Sequence, residues 1–146
     1  MTKDFSINSN EKKPKIEVKT PQYFQPSRLT FNFSFLTDDK KYNFDGKGFN
    51  KPVQKKLIDK IVNLSGEDYD IIMSFPKEIG FEKLDDNIVK FRLNSEFKDS
   101  GRHQDCLDGF WIFRLSKLGR VIGKIFDKTF YILCIDTTFD TYKHSS

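Results

Sequence analysis

Cysteine and histidine are scarce in this sequence of 146 residues, which holds two of each. Cys106 and Cys134 do not form a CxxC pair, and the two histidines do not complete a metal site with them. We therefore expect ordinary thiols and no metal or other cofactor. Two further features are missing: an apolar run near the roughly 18 residues that span a bilayer, and an apolar signal-peptide core near the N-terminus. These absences predict a cytoplasmic location and no membrane partner.

Several sequence motifs of known chemistry are absent as well. The chain contains no GxGxxG, no GxxxxGK[ST], no HExxH and no GxSxG. The two histidines, at positions 103 and 144, offer no obvious partner for a serine or cysteine nucleophile. The sequence therefore gives no support to dinucleotide binding, a P-loop, a zinc protease or a serine hydrolase.

The net charge of the chain is small, at +4, and most of it lies at the N-terminus. Residues 1–28 carry six Lys and Arg against three Asp and Glu, together with three of the five prolines. This polar composition buries too little apolar surface to offset the entropy of ordering, so it predicts a flexible tail. The remainder, residues 29–146, is predicted to be a single domain that is close to neutral. It does not coat nucleic acid by bulk charge, but it leaves room for a local basic site.

The first part of the predicted domain reads as a strand followed by two helices. Residues 29–36, LTFNFSFL, alternate apolar and polar side chains, which is typical of a half-buried β-strand. Residues 51–64 place apolar side chains at helical spacing behind Asn50, a good N-terminal cap. A shorter second helix ends at Pro76. Residues 88–93, IVKFRL, alternate again and predict another strand, which a polar loop follows.

Residues 108–142 predict three further strands joined by very short connections. Residues 111–117 and 120–126 alternate, and residues 130–135 form a continuous apolar run that is typical of a central strand buried on both faces. Short connections favour an antiparallel meander. The fold class predicted from the whole pattern is α+β, with two N-terminal helices packed on an antiparallel β-meander sheet.

The meander carries the residues most suited to chemistry. Alternation and antiparallel pairing bring Arg114 and Arg120 together on the sheet, with Lys124 near them, and clustered cations suit a phosphate or carboxylate ligand. Tyr142 and His144 can act as acid or base if the C-terminus folds back beside the arginines. The alternative is that the C-terminus frays and that the arginines lie on the surface, where they pair with Asp108, Asp127 or Asp136.

The same residues carry a family resemblance. Residues 107–115, LDGFWIFRL, are followed by Arg120 in GRVIG, a pattern similar to G-[FY]-W-x-x-R-[IL] with a second arginine in register. This resembles the YoeB-like branch of the RelE/ParE superfamily of small bacterial toxins, over residues 107–142. The order strand, helix, helix and strand meander agrees with that superfamily.

The resemblance implies a RelE-like fold and a metal-free endoribonuclease of the mRNA interferase type. In such enzymes the ribose 2′-OH attacks the adjacent phosphate, while side chains move the protons and arginine stabilises the developing charge. Arg120 matches the catalytic arginine and Arg114 an accompanying one, with Tyr142 and His144 as further catalytic candidates. We expect three other cations to contact RNA: Lys124, Arg102 and Lys117. The implied partners are RNA, the ribosome and an antitoxin-like protein.

The sequence differs from the family pattern at the acid and the base. Thr141 rather than histidine precedes Tyr142, and the spacing from Arg120 is three residues longer. No acid aligns with the general-base glutamate, although three candidates lie near it: Asp99, His103 and Asp105. The alternative hypothesis is therefore a non-catalytic protein-binding or regulatory module on the same fold.

Overall fold

A computed structural model describes residues 27–143 of the chain. Its centre is a five-stranded sheet flanked by short helices, so the fold class is α+β, as the sequence predicted. The predicted tail falls almost wholly in residues 1–26, which lie outside the described part, as does His144. None of the helices within residues 27–143 has the length and apolar character needed to span a bilayer.

The strands are β1 (Thr30–Asn32), β2 (Glu82–Leu84), β3 (Phe110–Arg114), β4 (Arg120–Phe126) and β5 (Thr129–Asp136). Their spatial order is β1-β5-β4-β3-β2. The antiparallel meander β3-β4-β5 is confirmed, and β5 is a buried interior strand that lies between β1 and β4. The prediction that the whole sheet is antiparallel is wrong, because β1 pairs parallel to β5. The long connection between β1 and β5 makes this parallel pairing possible.

The helices are α1 (Lys51–Ser65), α2 (Tyr69–Ser74), α3 (Ser95–Asp99) and α4 (Arg102–Asp105). The side chain of Asn50 caps α1 by accepting a hydrogen bond from the backbone N–H of Val53, at 3.2 Å. This confirms the predicted first helix within one residue. The predicted polar loop before β3 instead contains α3 and α4. The wholly buried ring of Phe97 anchors α3.

One predicted strand is shorter than expected, and another is absent. Only three residues of the 29–36 segment pair, because the Asn32 side chain accepts a hydrogen bond from the backbone N–H of Ser34 and starts a turn. Residues 88–93 form no strand. Their alternation reflects the burial of Val89 and Phe91 against the sheet, while the backbone N–H of Lys90 donates to the Thr141 carbonyl at 2.7 Å.

Two hydrophobic clusters cover the two faces of the sheet. The first contains apolar side chains of α1 and α2 together with those of the sheet, among them Leu57, Ile72, Phe113, Val121 and Phe130. The second contains Phe97 of α3, Tyr42 of a 3₁₀ turn (Lys40–Tyr42) and sheet residues such as Ile112 and Leu133. Arg114 and Arg120 open onto the second face, because they alternate with Phe113 and Val121.

We expect Gly123→Ala to destabilise the protein by about 1–3 kcal/mol, the typical cost of overpacking. Gly123 lies at a register shift in β4, where a Cβ atom would stand 2.1 Å from the Tyr131 carbonyl oxygen and 2.5 Å from the Phe130 ring. The matched control is Gly66→Ala, where φ is −84° and the nearest atom is 3.6 Å away. Urea unfolding should separate the two variants; equal stability would contradict this packing.

Candidate functional site

The turn between β3 and β4 places two arginines opposite each other. Arg114 ends β3, Arg120 begins β4, and the two are direct partners in the antiparallel register. A 3₁₀ turn, Ser116–Leu118, joins them. The two arginines are therefore adjacent on the sheet, as the sequence predicted.

Arg120 is almost completely buried, at 2% exposure, and it is bound by two elements. Its Nε donates to the Asp136 carboxylate at 3.1 Å. Its Nη2 donates to the Tyr142 carbonyl at 2.8 Å and to the Thr141 hydroxyl at 3.3 Å. The guanidinium thus joins β4, the end of β5 and the C-terminal segment.

Asp136 organises the segment that follows β5. Its carboxylate accepts hydrogen bonds from the Thr141 hydroxyl at 2.6 Å and from the backbone N–H groups of Thr138, Phe139 and Thr141 at 2.8–3.1 Å. Burial by itself raises the pKa of Asp136, but the Thr141 hydrogen bonds and Arg120 outweigh it and hold the pKa below its ordinary value. The buried carboxylate therefore stays ionised opposite the buried guanidinium.

The C-terminal segment folds back onto the arginines. The ring of Tyr142 lies under the Arg120 guanidinium, with 3.4 Å from Cζ to the ring centroid, and the Phe139 ring lies at 5.3 Å. Both contacts are cation–π interactions. The structure thus brings together three sequence-predicted candidates, Arg114, Arg120 and Tyr142.

A cavity of about 300 Å³ opens at this junction. Cations and aromatic rings line most of it: Arg114, Ser116, Lys117, Arg120, Phe139 and Tyr142. Arg114 is half-buried, whereas Lys117 is exposed. Such a lining suits a ligand that carries both an anionic group and a flat ring, as a nucleotide does.

Glu82 is the site residue that the sequence did not reveal. It lies on β2, with its Oε1 3.4 Å from the Tyr142 hydroxyl and 4.0 Å from Nη2 of Arg114. The strand is only three residues long, too short to show a period-two pattern, and nothing local predicts its pairing with β3. The site therefore includes a carboxylate that contacts two residues of the cavity lining, although it is not itself part of that lining.

The environment of Tyr142 favours its protonated form. Burial raises the pKa of its hydroxyl above the ordinary value of 10.0, and the Glu82 carboxylate adds to the rise, although Arg120 opposes both. A tyrosine that keeps its proton at neutral pH can donate it to a leaving group.

The other predicted RNA contacts do not meet at this cavity, except for Lys117. Lys124 is buried, and its Nζ donates to Asp86 at 2.6 Å and to the Gly109 carbonyl at 3.0 Å. The Arg102 guanidinium stacks on the Phe126 ring at 4.3 Å. The three candidates for a general base near the family position do not line the cavity: Asp99, His103 and Asp105.

Both cysteines are free thiols, and burial raises the pKa of Cys134 and, to a smaller extent, that of Cys106. Among residues 27–143, no group of three or more His, Cys, Asp and Glu side chains is arranged to hold a metal ion.

Comparison with protein-family models, with curated proteins and with solved structures found no match.

We expect Arg120→Met to lower the free energy of unfolding by about 3–5 kcal/mol, because it leaves the Asp136 charge buried and unpaired. The matched control, Arg114→Met, should cost less than about 1 kcal/mol, since that side chain is partly exposed. Replacing both members, with Arg120→Met and Asp136→Leu, should recover part of the loss.

The same pair sets a pH dependence. The folded-state pKa of Asp136 is depressed, so its stabilisation is complete above the ordinary value of 3.8 and is lost as the pH falls below it. Urea unfolding of the wild type and the variants, at pH values above and below 3.8, measures both the cost of each substitution and the loss of stability at low pH. Equal losses for the two single arginine variants would show that the buried pair does not stabilise the fold.

Proposed function

We propose that this protein cleaves RNA at the cavity beside Arg114 and Arg120, by attack of a ribose 2′-OH on the adjacent phosphate. One observation carries the proposal: Glu82 contacts both Tyr142 and Arg114, which line a single cavity with Arg120 and Lys117. We propose as well that the fold is RelE-like, with α1 and α2 packed on the sheet. The resemblance over residues 107–142 supports both statements.

The cations of the cavity would bind the scissile phosphate. Arg114 offers a planar guanidinium that can contact two phosphate oxygens, and Lys117 adds a flexible charge at the rim. The charge of Arg120 is offset by Asp136, so we assign it a fixed contribution to the field and the positioning of Tyr142. The exposed Phe139 ring provides a surface on which a base can stack.

The reaction needs one group to take a proton and one to give a proton. Glu82 accepts the proton of the 2′-OH as the 2′-oxygen attacks phosphorus. Tyr142 donates its proton to the 5′-oxygen as the P–O5′ bond breaks, and Arg114 stabilises the charge on the phosphoryl oxygens. The products are a 2′,3′-cyclic phosphate and a 5′-hydroxyl. The contact of 3.4 Å between Glu82 and Tyr142 in the free protein would open to admit the phosphate.

Glu82 supplies the general base for which the family pattern showed no aligned acid in this sequence. It lies on β2, whereas the family pattern predicts an acid in the segment before β3. Tyr142 reaches the cavity although Thr141 precedes it, because Thr141 itself binds Asp136 and Arg120. We propose three partners on the same grounds: RNA, a ribosome and an antitoxin-like protein.

One observation favours a second candidate, a non-catalytic protein-binding module. The Arg120 guanidinium makes three hydrogen bonds, has its charge matched by Asp136 and is only 2% exposed. A residue held in this way stabilises the C-terminal segment whether or not the protein cleaves RNA. In that case the cavity would bind an acidic or phosphorylated group of a protein.

We expect the purified protein to cleave single-stranded RNA in the presence of EDTA. Arg114→Ala, Glu82→Gln and Tyr142→Phe should each lower the single-turnover rate by about 10²–10⁴-fold, the usual contribution of a proton-transfer or charge-stabilising group. Because the pKa of Tyr142 is raised, the rate should not fall with its ionisation below pH 10.0.

The matched control for Arg114→Ala is Arg92→Ala, an exposed arginine that does not line the cavity. Circular dichroism and urea unfolding confirm that each variant is folded. Cleavage that survives all three site substitutions would refute the assignment of the site. A wild-type protein with no cleavage of RNA, alone or with ribosomes, would favour the binding module.

A further inference from the structure

A second cavity, of about 370 Å³, lies beside the end of β5 and faces the loop that follows β1. Three lysines and two threonines line it, together with a single acid: Lys40, Lys41, Lys47, Thr137, Thr138 and Asp45. Nothing in the proposed chemistry uses these residues. Ammonium groups and hydroxyls are donors, so the lining is suited to an anion such as a phosphate group.

The walls of the second cavity are fixed by close packing. A Cβ atom at Gly48 would lie 1.9 Å from Oγ1 of Thr137, so the loop backbone touches the residue that follows β5. The Thr37 N–H donates to the Leu133 carbonyl at 2.9 Å, and the Phe49 N–H donates to the Gly46 carbonyl at 3.0 Å. These bonds hold the loop in place before a ligand arrives, which lowers the cost of binding.

Two of the lysines are available to a ligand. Lys40 and Lys47 are exposed, and within residues 27–143 no ion pair engages either of them. Lys41 binds Asp140, whose second oxygen accepts a hydrogen bond from the Tyr42 hydroxyl at 2.7 Å. Lys41 therefore fixes the C-terminal segment, while Lys40 and Lys47 present the free charges.

An exposed aromatic ring, that of Phe44, lies in the same loop, between Lys40 and Lys47 in the sequence. Phe44 is 48% exposed, and its ring stacks on Phe49 with centroids 4.7 Å apart. Phe33, 38% exposed, lies 5.7 Å from Phe44. Lysines beside exposed flat rings are the combination by which proteins bind single-stranded nucleic acid, because the cations follow the backbone and the bases stack. An acidic protein partner would not require the rings.

The second cavity adjoins the first through consecutive residues. Thr137 and Thr138 line the second cavity, and Phe139 lines the first. A single strand that crosses this segment would pass from the first cavity towards Lys40 and Lys47.

We propose that the second cavity, with Phe44 and Phe33, binds the nucleotides of single-stranded RNA that flank the cleavage site. This inference rests on the proposed function, since it extends the same substrate. Lys40 and Lys47 bind backbone phosphates, and Phe44 stacks on a base.

The test measures binding and cleavage separately. Binding is followed by fluorescence anisotropy with a labelled single-stranded RNA of about ten nucleotides, methylated at every 2′-oxygen so that it cannot be cleaved. Cleavage is followed with an unmodified dinucleotide, which supplies only the two nucleotides on either side of the scissile bond. The variants are Lys40→Ala with Lys47→Ala, and Phe44→Leu. The matched control is Lys55→Ala with Lys56→Ala, two exposed lysines of α1.

We expect the double substitution Lys40→Ala with Lys47→Ala to weaken binding of the ten-nucleotide RNA by about tenfold. It should also reduce the slope of the logarithm of the binding constant against the logarithm of the salt concentration by about 1.4, which corresponds to two phosphate contacts on a single strand. Phe44→Leu should weaken RNA binding by about fivefold or more. Cleavage of the dinucleotide should not change in either variant, and an RNA duplex should compete poorly because its bases are already stacked.

The inference is overturned if the substitution of Lys40 and Lys47 weakens RNA binding no more than the control substitution of Lys55 and Lys56. It is also overturned if an RNA duplex competes for the protein as well as a single strand does. Its failure is distinct from that of the proposed function. If the protein cleaves RNA but substitution of Lys40 and Lys47 does not change binding, the nuclease proposal stands and the subsite is refuted. If the wild-type protein does not cleave RNA but its binding still depends on Lys40 and Lys47, the nuclease proposal is refuted and the second cavity is a single-strand binding site.

Discussion

The buried ion pair between Arg120 and Asp136 is the interaction on which the C-terminal half of the structure depends. Both side chains are almost wholly removed from water, at 3% and 0% exposure, so each would be costly without the other. Both side chains make further hydrogen bonds, to Thr141, to the Tyr142 carbonyl and to the backbone after β5. The pair thus fixes the position of the segment that follows β5, residues 137–142. Phe139 and Tyr142 belong to this segment and form one side of the cavity beside Arg114.

The same segment connects the two cavities. Asp136 holds its beginning, Asp140 binds Lys41 and Tyr42, and Arg120 holds its end. A change in the ion pair would therefore affect both sites. The roles that we propose for the cations follow from their burial. Arg120 is buried and positions other residues. The cations that a ligand can reach are Arg114, Lys117, Lys40 and Lys47.

Local patterns in the sequence were sufficient for some parts of this arrangement. The α1 helix, the β3-β4-β5 meander and the opposition of Arg114 and Arg120 follow from periodicity and short connections, which act over a few residues. The parallel pairing of β1 with β5 and the place of Glu82 depend on contacts between distant segments, for which no local pattern exists. The alternation in residues 88–93 was misleading, because Val89 and Phe91 are buried by packing against the sheet and not by strand pairing. Asp136 was one of the aspartates expected to pair with the arginines, but on the surface. The burial of the pair was not predicted, because the partners of Asp136 come from both β4 and the C-terminal segment.

The central claim is that this cavity directs a ribose 2′-OH against its own phosphate. Mass spectrometry of the fragments from an RNA cleaved at one position, beside the same RNA with a single 2′-deoxy nucleotide there, tests that claim most directly. The account predicts a 2′,3′-cyclic phosphate and a 5′-hydroxyl from the first RNA, and an intact second RNA. Cleavage of the deoxy-substituted RNA at that position, or a 5′-phosphate on the product, would contradict it.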